Sequence, residues 1–145
     1  MNSTICVDAG FVLRLVIPAT HSEQAERLWS SWLAGGTQIV APALLPFDVG
    51  SSIRRQVQRG RVTEPLGAAA ADAFLALAAD ILLVLPLALQ PRAWELADRH
   101  HLLSLYDAYY VALVESLDCP LWCADDRLRR AMPDHAARIK SLRDR

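Results

Sequence analysis

The sequence has little net charge, three cysteines and no long uninterrupted apolar run, and each of these scarcities excludes a class of protein. The formal net charge of −1 gives no overall attraction to nucleic acid or to a membrane surface. Because Cys6, Cys119 and Cys123 are odd in number and follow no secretory segment, we expect reduced, buried thiols in a cytoplasmic protein. The most apolar stretch, Leu66–Leu89, is interrupted by two aspartates and a proline, which favours a helix and a buried strand over a membrane span.

The chain does have a globular composition and an arginine-rich set of basic residues. Its 145 residues, 53% of them hydrophobic, suit a single domain over residues 1–145 with one core. Fourteen of the fifteen basic residues are arginine, whose planar guanidinium makes bidentate contacts with phosphate. Arg54, Arg55 and Arg59 fall on one predicted helix and are candidate phosphate contacts. A solvated helix face or a biased nucleotide composition explains the same pattern equally well.

Short apolar strands alternate with helices along the whole chain. This alternation predicts a three-layer α/β/α sandwich with a central parallel sheet of four to five short strands. The predicted strands are Thr4–Asp8, Gln38–Ala41, Ile81–Leu85, Pro120–Ala124 and Arg138–Leu142. The predicted helices are Gly10–Ile17, His21–Leu33, Pro42–Gly60, Thr63–Ala79, Leu89–His100, Ser104–Leu117 and Asp126–Ala131.

Four aspartates lie where these strands give way to helices. Asp8 ends the first strand, Asp125 follows the fourth strand, and Asp48 and Asp107 lie early in helices. In parallel α/β sheets, ligands bind outside the carboxyl ends of the strands, and helices that follow strands begin at that edge. The four carboxylates are therefore geometrically compatible with one pocket.

Helix capping is the competing explanation for each aspartate taken singly. Asp48 is a poor cap because it falls well after the helix start predicted at Pro42, and Asp107 follows Ser104, the better cap candidate. A cluster of carboxylates is electrostatically costly unless a divalent cation neutralises it. The joint pattern favours a metal site of oxygen ligands, of the kind that acts on phosphates.

Three stretches of sequence around these acids carry a family resemblance. They read VDAGFVLRLVIP, APALLPFDVGSSIRR and SLYDAYYVALVESLDCPLWCADDRL, and together they extend over nearly the whole chain. The sequence resembles the PIN-domain ribonucleases of the VapC-like toxin type. The third stretch is the most specific, because YDAYYVALVE followed by a short strand and ADDRL is a characteristic order in that family.

The resemblance implies an endoribonuclease that depends on Mg2+ or Mn2+ and acts as the toxin of a toxin–antitoxin module. It implies cleavage of RNA phosphodiesters by a metal-activated water. Asp8, Asp107 and Asp125 carry over as metal ligands and, with Asp48, as the catalytic acids. Asp126 is the adjacent alternative to Asp125.

The resemblance also implies partners. The RNA substrate would meet Arg127 in addition to the arginines named above, and a homodimer is expected. A small antitoxin would lay a helix in an apolar groove, for which Trp29, Trp32 and Leu44–Leu45 are candidates. Tryptophans in such elements, Trp94 and Trp122 included, are otherwise expected in the core.

Three residues depart from the family pattern. Asp48 replaces the usual Glu, Gly10 replaces a hydroxyl residue, and Cys123 replaces the Thr or Ser common before the final acid. Weaker polar support of the acids follows from these changes. These changes bear on metal affinity and rate and leave the fold unaffected.

Two functions from other classes remain open at this stage. One is a catalytically weak protein-binding module that acts through its partner. The other is a phosphoacceptor domain, which ranks low because such domains need a lysine near a late strand or a DxD opening. This chain has only Lys140 and opens with Asp8-Ala9-Gly10.

Overall fold

A computed structural model describes residues 3–144, and a sheet of five short strands forms its centre. The strands are β1 (Thr4–Val7), β2 (Gln38–Pro42), β3 (Ile81–Val84), β4 (Leu121–Cys123) and β5 (Ile139–Ser141). All neighbouring strands are parallel, in the order β3-β2-β1-β4-β5. The predicted parallel sheet is confirmed, and the order reverses beside β1, where ligands of such sheets bind.

Seven α-helices flank the sheet within residues 3–144. Helices α2, α3 and α4 pack against α1, and α3 packs against α4, while α5 packs against α6, which also contacts β1, β2 and β4. The helices are α1 (Ala9–Val16), α2 (Ser22–Ala34), α3 (Leu45–Gln58), α4 (Glu64–Ala78), α5 (Gln90–Arg99), α6 (Tyr106–Leu117) and α7 (Arg127–Ala131). Short 3-10 turns occupy Leu87–Leu89 and Pro133–His135.

The central strand is apolar because helices cover the sheet on both faces. Ile5, Cys6 and Val7 are all buried in β1. Three aromatic rings fill the space between α1, α2 and β4: the Trp32 ring lies 5.3 Å from that of Phe11 and 5.8 Å from that of Trp122, centroid to centroid. This packing fixes the end of β1, and with it the start of α1, relative to β4.

Helix α3 begins at Leu45, so the prediction of a start at Pro42 is wrong. Pro42 is instead the last residue of β2, where it pairs with Val84 of β3. Pro46 supplies the proline of the first turn instead. Asp48 therefore lies in the first turn of α3 rather than well inside the helix.

Helix α6 begins at Tyr106, so Ser104 does not cap it. Leu105 occupies the N-cap position, and no side chain accepts a hydrogen bond from the first turn there. The prediction that Ser104 caps α6 is therefore wrong.

Two predictions about tryptophans are also wrong. Trp29 and Trp32 are only 6% and 9% exposed and Leu45 is fully buried, so these residues belong to the core and form no groove for a partner helix. Trp94 is 58% exposed, because α5 turns Ala93, Leu96 and Ala97 inward instead.

The three cysteines are free and buried. A membrane-spanning helix would have to be longer and more apolar than any found in residues 3–144.

Candidate active site

Three of the four predicted acids line one cavity at the carboxyl edge of the sheet. The cavity has a volume of about 320 Å³, and Asp8, Asp48 and Asp107 are in its wall. The elements that meet here are the end of β1 and the first turns of α3 and α6. The other lining residues are Ala9, Gly10, Leu13, Ser52, Arg55, Ser104, Tyr106, Tyr110 and Arg127.

Asp8 is both a helix cap and a cavity carboxylate. It follows β1 directly, and its backbone amide donates to the carbonyl of Trp122 in β4 at 3.2 Å. Its Oδ1 accepts from the amide of Phe11 at 2.8 Å, which caps α1. The capping explanation and the site explanation therefore apply to the same side chain.

The environment of Asp8 disfavours its charge. Burial, the largest cause, raises the pKa of Asp8 from 3.8 to about 6, and the nearby Asp125 carboxylate adds to the rise. The Phe11 amide, the Cys123 thiol and the charge of Arg127 work against that rise in pKa. The Cys123 thiol therefore favours the charged form of Asp8, although a thiol is a weaker donor than a hydroxyl.

Asp48 enters the cavity from the first turn of α3. Its Oδ2 accepts a hydrogen bond of 3.4 Å from the hydroxyl of Tyr110. Burial, with a further contribution from the Asp107 charge, raises the pKa of Asp48. Burial and the neighbouring Asp48 also raise the pKa of Tyr110, so the phenol stays protonated and remains a donor.

The contact of Tyr110 with Asp48 was not predicted from the sequence. Tyr110 is three residues after Asp107 in α6, and side chains at that spacing share a helix face. That spacing was the signal that placed Tyr110 beside the predicted site.

Asp107 and Asp125 both contact Arg127. The guanidinium Nη1 and Nη2 of Arg127 donate to Oδ2 and Oδ1 of Asp107 at 2.9 and 3.3 Å. The backbone amide of Arg127 donates to Oδ1 of Asp125 at 2.9 Å. Asp125 is exposed at the rim and does not line the cavity, but its charge acts on Asp8.

Asp126 belongs to a different group of charges. Its Oδ1 accepts from Arg129 at 2.6 Å, and Arg129 also pairs with Asp144. Arg129 is the largest cause of the lowered pKa of Asp126. Of the two adjacent acids, only Asp125 contributes to the electrostatics of Asp8.

The predicted phosphate contacts divide into two pairs. Arg55 and Arg127 line the cavity, whereas Arg54 and Arg59 are exposed outside it. Arg55 also bonds to Ser52 across 3.0 Å on the same helix face. A phosphate in the cavity would thus meet one arginine from α3 and one from α7.

The donors present fit a hard divalent cation. Carboxylate oxygens are the ligands that Mg2+ and Mn2+ prefer, and burial together with neighbouring carboxylates raises the pKa values of Asp8 and Asp48. Within residues 3–144, no three His, Cys, Asp or Glu side chains already surround one point as a complete ligand set. Arg127 contacts two of the four acids, Asp107 through its guanidinium and Asp125 through its backbone amide.

Residues 5–132 match the family model described as the PIN domain. The chain is 37% identical over 103 residues to Ribonuclease VapC1 of Mycobacterium tuberculosis, covering 71% of this chain and 74% of that protein. It is 33% identical over 124 residues to VapC ribonuclease Mb0985 of Mycobacterium bovis, covering 86% of this chain and 87% of that protein.

Two crystal structures have a similar fold. VapC20 of Mycobacterium tuberculosis, described as a Sarcin-Ricin loop cleaving toxin, aligns with a TM-score of 0.66 and 20% identity over 88% of this chain and 94% of that chain. PAE2754 from Pyrobaculum aerophilum aligns with a TM-score of 0.68 and 20% identity over 91% of this chain and 88% of that chain. At this level of identity, the two structures establish the fold alone.

Proposed function

Since the chain belongs to the PIN-domain family, among its VapC-type ribonucleases, we propose that its acidic cavity cleaves RNA with a bound Mg2+ or Mn2+. The observation that carries the proposal is the environment of Asp8, a carboxylate with a pKa raised to about 6 and no cation paired with it among residues 3–144. A partly buried acid in a cleft, with a raised pKa, is a candidate functional group.

The acids take different parts in the proposed reaction. Asp8, Asp107 and Asp125 would hold the cation through hard oxygen ligands, and Asp48 would orient the attacking water from α3. When bound, the cation supplies two effects: it lowers the pKa of a water molecule and neutralises charge on the scissile phosphate.

The remaining cavity side chains position these groups. The Tyr110 hydroxyl holds one oxygen of Asp48, which leaves the other oxygen free to accept a proton from water. The Phe11 amide orients Asp8, and the Cys123 thiol favours its charged form. Arg55 would receive a neighbouring RNA phosphate, since it lines the cavity without an acidic partner within salt-bridge distance in residues 3–144.

Cleavage of a panel of structured RNAs in Mg2+, Mn2+ or chelator tests the proposal. We expect cleavage by the parent protein only with metal, and a loss of at least about a thousandfold in Asp8→Asn and Asp107→Asn, because each removes a ligand charge. Asp72→Asn, a change of the same charge on the exposed face of α4, should cleave like the parent. Metal-independent cleavage, or an Asp8→Asn variant as active as the parent, would refute the proposal.

The partner assignments form a second part of the proposal. The relatives are VapC ribonucleases, and we propose that a small cognate antitoxin binds this chain and that the chain acts in the cytoplasm, where its free thiols stay reduced. The buried Trp29 and Trp32 leave the antitoxin surface elsewhere.

We also propose that the chain forms a homodimer. Leu87 and Leu103 are 65% and 107% exposed, and Trp94 lies in the wall of two shallow depressions that include them. Exposed apolar residues that adjoin one another typically mark a protein contact. The mass of the purified chain in solution tests this assignment.

The comparisons bear on the two alternative functions, a phosphoacceptor domain and a catalytically weak binding module. A phosphoacceptor domain finds no support in relatives that are ribonucleases. A catalytically weak binding module is left as the outcome in which the purified chain binds its antitoxin but cleaves no RNA with metal.

A further inference from the structure

Arg127 is the basic residue that contacts the candidate metal ligands. Its guanidinium occupies both oxygens of Asp107, and its backbone amide holds Asp125. Within residues 3–144, no other Lys, Arg or His side chain forms a salt bridge with Asp8, Asp48, Asp107 or Asp125. Among the described residues, Arg127 is therefore the basic side chain that pairs with these acids.

The ion pair between Arg127 and Asp107 is weak and easily separated. The Arg127 side chain is 62% exposed and that of Asp107 34% exposed, so the pair is solvated and its net free energy is small. Arg127 begins α7, and its backbone bond to Asp125 is separate from the side-chain bonds to Asp107. The guanidinium can therefore leave Asp107 by side-chain rotation alone while the backbone stays in place.

A divalent cation and Arg127 compete for the carboxylate oxygens of Asp107. The bidentate contact directs a donor at each carboxylate oxygen, and these are the lone pairs a metal would use. Binding of one cation therefore weakens binding of the other, and the coupling is reciprocal.

We propose that Arg127 is a displaceable internal counter-ion, which holds Asp107 in the metal-free protein and turns to an RNA phosphate when a divalent cation takes its place. The inference rests on the proposed metal-dependent ribonuclease function. Arg127 lines the cavity, so a phosphate bound beside the acids lies within reach of the released guanidinium. One residue would thus lower metal affinity in the absence of RNA and raise RNA affinity once metal is bound.

Electron paramagnetic resonance of free Mn2+ measures metal affinity without any reaction. We expect Arg127→Gln to bind Mn2+ about three- to tenfold more tightly than the parent, because the competing cation is gone. Arg130→Gln is the matched control, since it removes an equal charge from an exposed position of the same helix. Its affinity should stay within about twofold of the parent.

Single-turnover RNA cleavage at saturating Mn2+ supplies the second measurement. Arg127→Gln should cleave about tenfold or more slowly than the parent, because a phosphate contact is lost, and Arg127→Lys should recover part of that rate. A purely structural role would weaken metal binding and cleavage together, whereas the inference requires tighter metal binding with slower cleavage. Arg127→Lys keeps the charge, so it also serves if Arg127→Gln folds poorly.

The outcomes separate this inference from the proposed function. If the parent binds Mn2+ and cleaves RNA, but Arg127→Gln binds Mn2+ no more tightly than Arg130→Gln, the inference is wrong and the ribonuclease assignment stands. Tighter Mn2+ binding with undiminished cleavage would also overturn it. A parent protein that neither binds Mn2+ nor cleaves RNA would overturn both.

Discussion

The acidic cavity and the cluster around Glu115 both combine carboxylates with arginine, yet they treat the carboxylate charge in opposite ways. Glu115 in α6 accepts two hydrogen bonds from Arg92, at 2.7 and 2.9 Å, and lies 2.8 Å from His135. The Arg92 hydrogen bonds are the main reason that the pKa of Glu115 falls from 4.5 to about 2. Asp8 has no such partner, and burial raises its pKa to about 6.

The difference separates an acid whose charge is matched by neighbouring donors from one whose charge is not. Glu115 links α6 to Arg92 of α5 and to His135 in the turn at Pro133–His135. Both of its carboxylate oxygens have hydrogen-bonding partners. The cavity keeps an unmatched carboxylate that costs folding free energy. A fold tolerates such a cost at a functional site.

Asp8→Asn is expected to have the largest effect on stability, and the effect is stabilising. Because the pKa of Asp8 is raised from 3.8 to about 6, its native state favours the protonated acid, and ionisation lowers stability as the pH rises through 6. In chelator at pH 7.5 the variant should be more stable than the parent by up to about 3 kcal/mol. Asparagine caps helices as well as aspartate does, so α1 should keep its N-terminal bond.

Urea unfolding at pH 7.5 and at pH 4 measures this effect. The gap between Asp8→Asn and the parent should be largely lost at pH 4, where Asp8 is protonated in the native state and partly protonated in the unfolded chain. A parent as stable as the variant at pH 7.5 would show that the charge of Asp8 is already compensated, and the contrast with Glu115 would disappear.

Glu115→Gln is expected to have a smaller effect of the opposite sign. The lowered pKa means that ionised Glu115 stabilises the fold at every pH above about 4.5, and that this stability is lost only as the pH falls through 4.5 toward 2. The side chain is 31% exposed, so solvent weakens the interaction and we expect a loss of about 1 to 2 kcal/mol. The loss should be nearly the same at pH 7.5 and pH 4.5.

Glu95→Gln is the matched control for this second prediction. Glu95 also pairs with Arg92, at 3.0 Å, but its side chain is 68% exposed. Its replacement should change stability by less than about 0.5 kcal/mol. Equal losses in the two variants would mean that Glu115 is an ordinary surface acid.

The sequence predicted the positions of residues that follow from strand direction. It did not predict features that depend on strand pairing or on side-chain conformation. Asp8 and Asp125 were placed correctly at the carboxyl edge because parallel strands leave no alternative. The start of α3 was misplaced because Pro42 and Pro46 are both valid helix openers, and only pairing of Pro42 with β3 distinguishes them.

The pairing of Arg127 with Asp107 could not be predicted from sequence. The residues are twenty positions apart, and their contact depends on the rotamer of an exposed arginine. The prediction that Trp94 lies in the core failed for a related reason. An apolar side chain is buried only if a neighbouring element covers it, and helical spacing does not identify that element.

Gly67→Ala has the smallest expected effect and tests whether the contrast between the two acids is electrostatic at all. Gly67 is where α4 meets α3, the helix that carries Asp48, and a Cβ there would lie 2.5 Å from Cγ2 of Val57. Overpacking, partly offset by the better helix propensity of alanine, should cost about 1 kcal/mol. No charge changes, so the loss should be equal at pH 7.5 and pH 4.

Gly50→Ala is the matched control, since Gly50 is exposed in the interior of α3 with no atom within 4 Å of a new Cβ. It should stabilise the protein by about 0.5 to 1 kcal/mol at both pH values. If either glycine variant instead shows a pH-dependent change like that of Asp8→Asn, then movement of α3 alters the cavity acids. The raised pKa of Asp48 would then depend on helix packing as well as on burial, and the two carboxylate groups could no longer be compared by their charges alone.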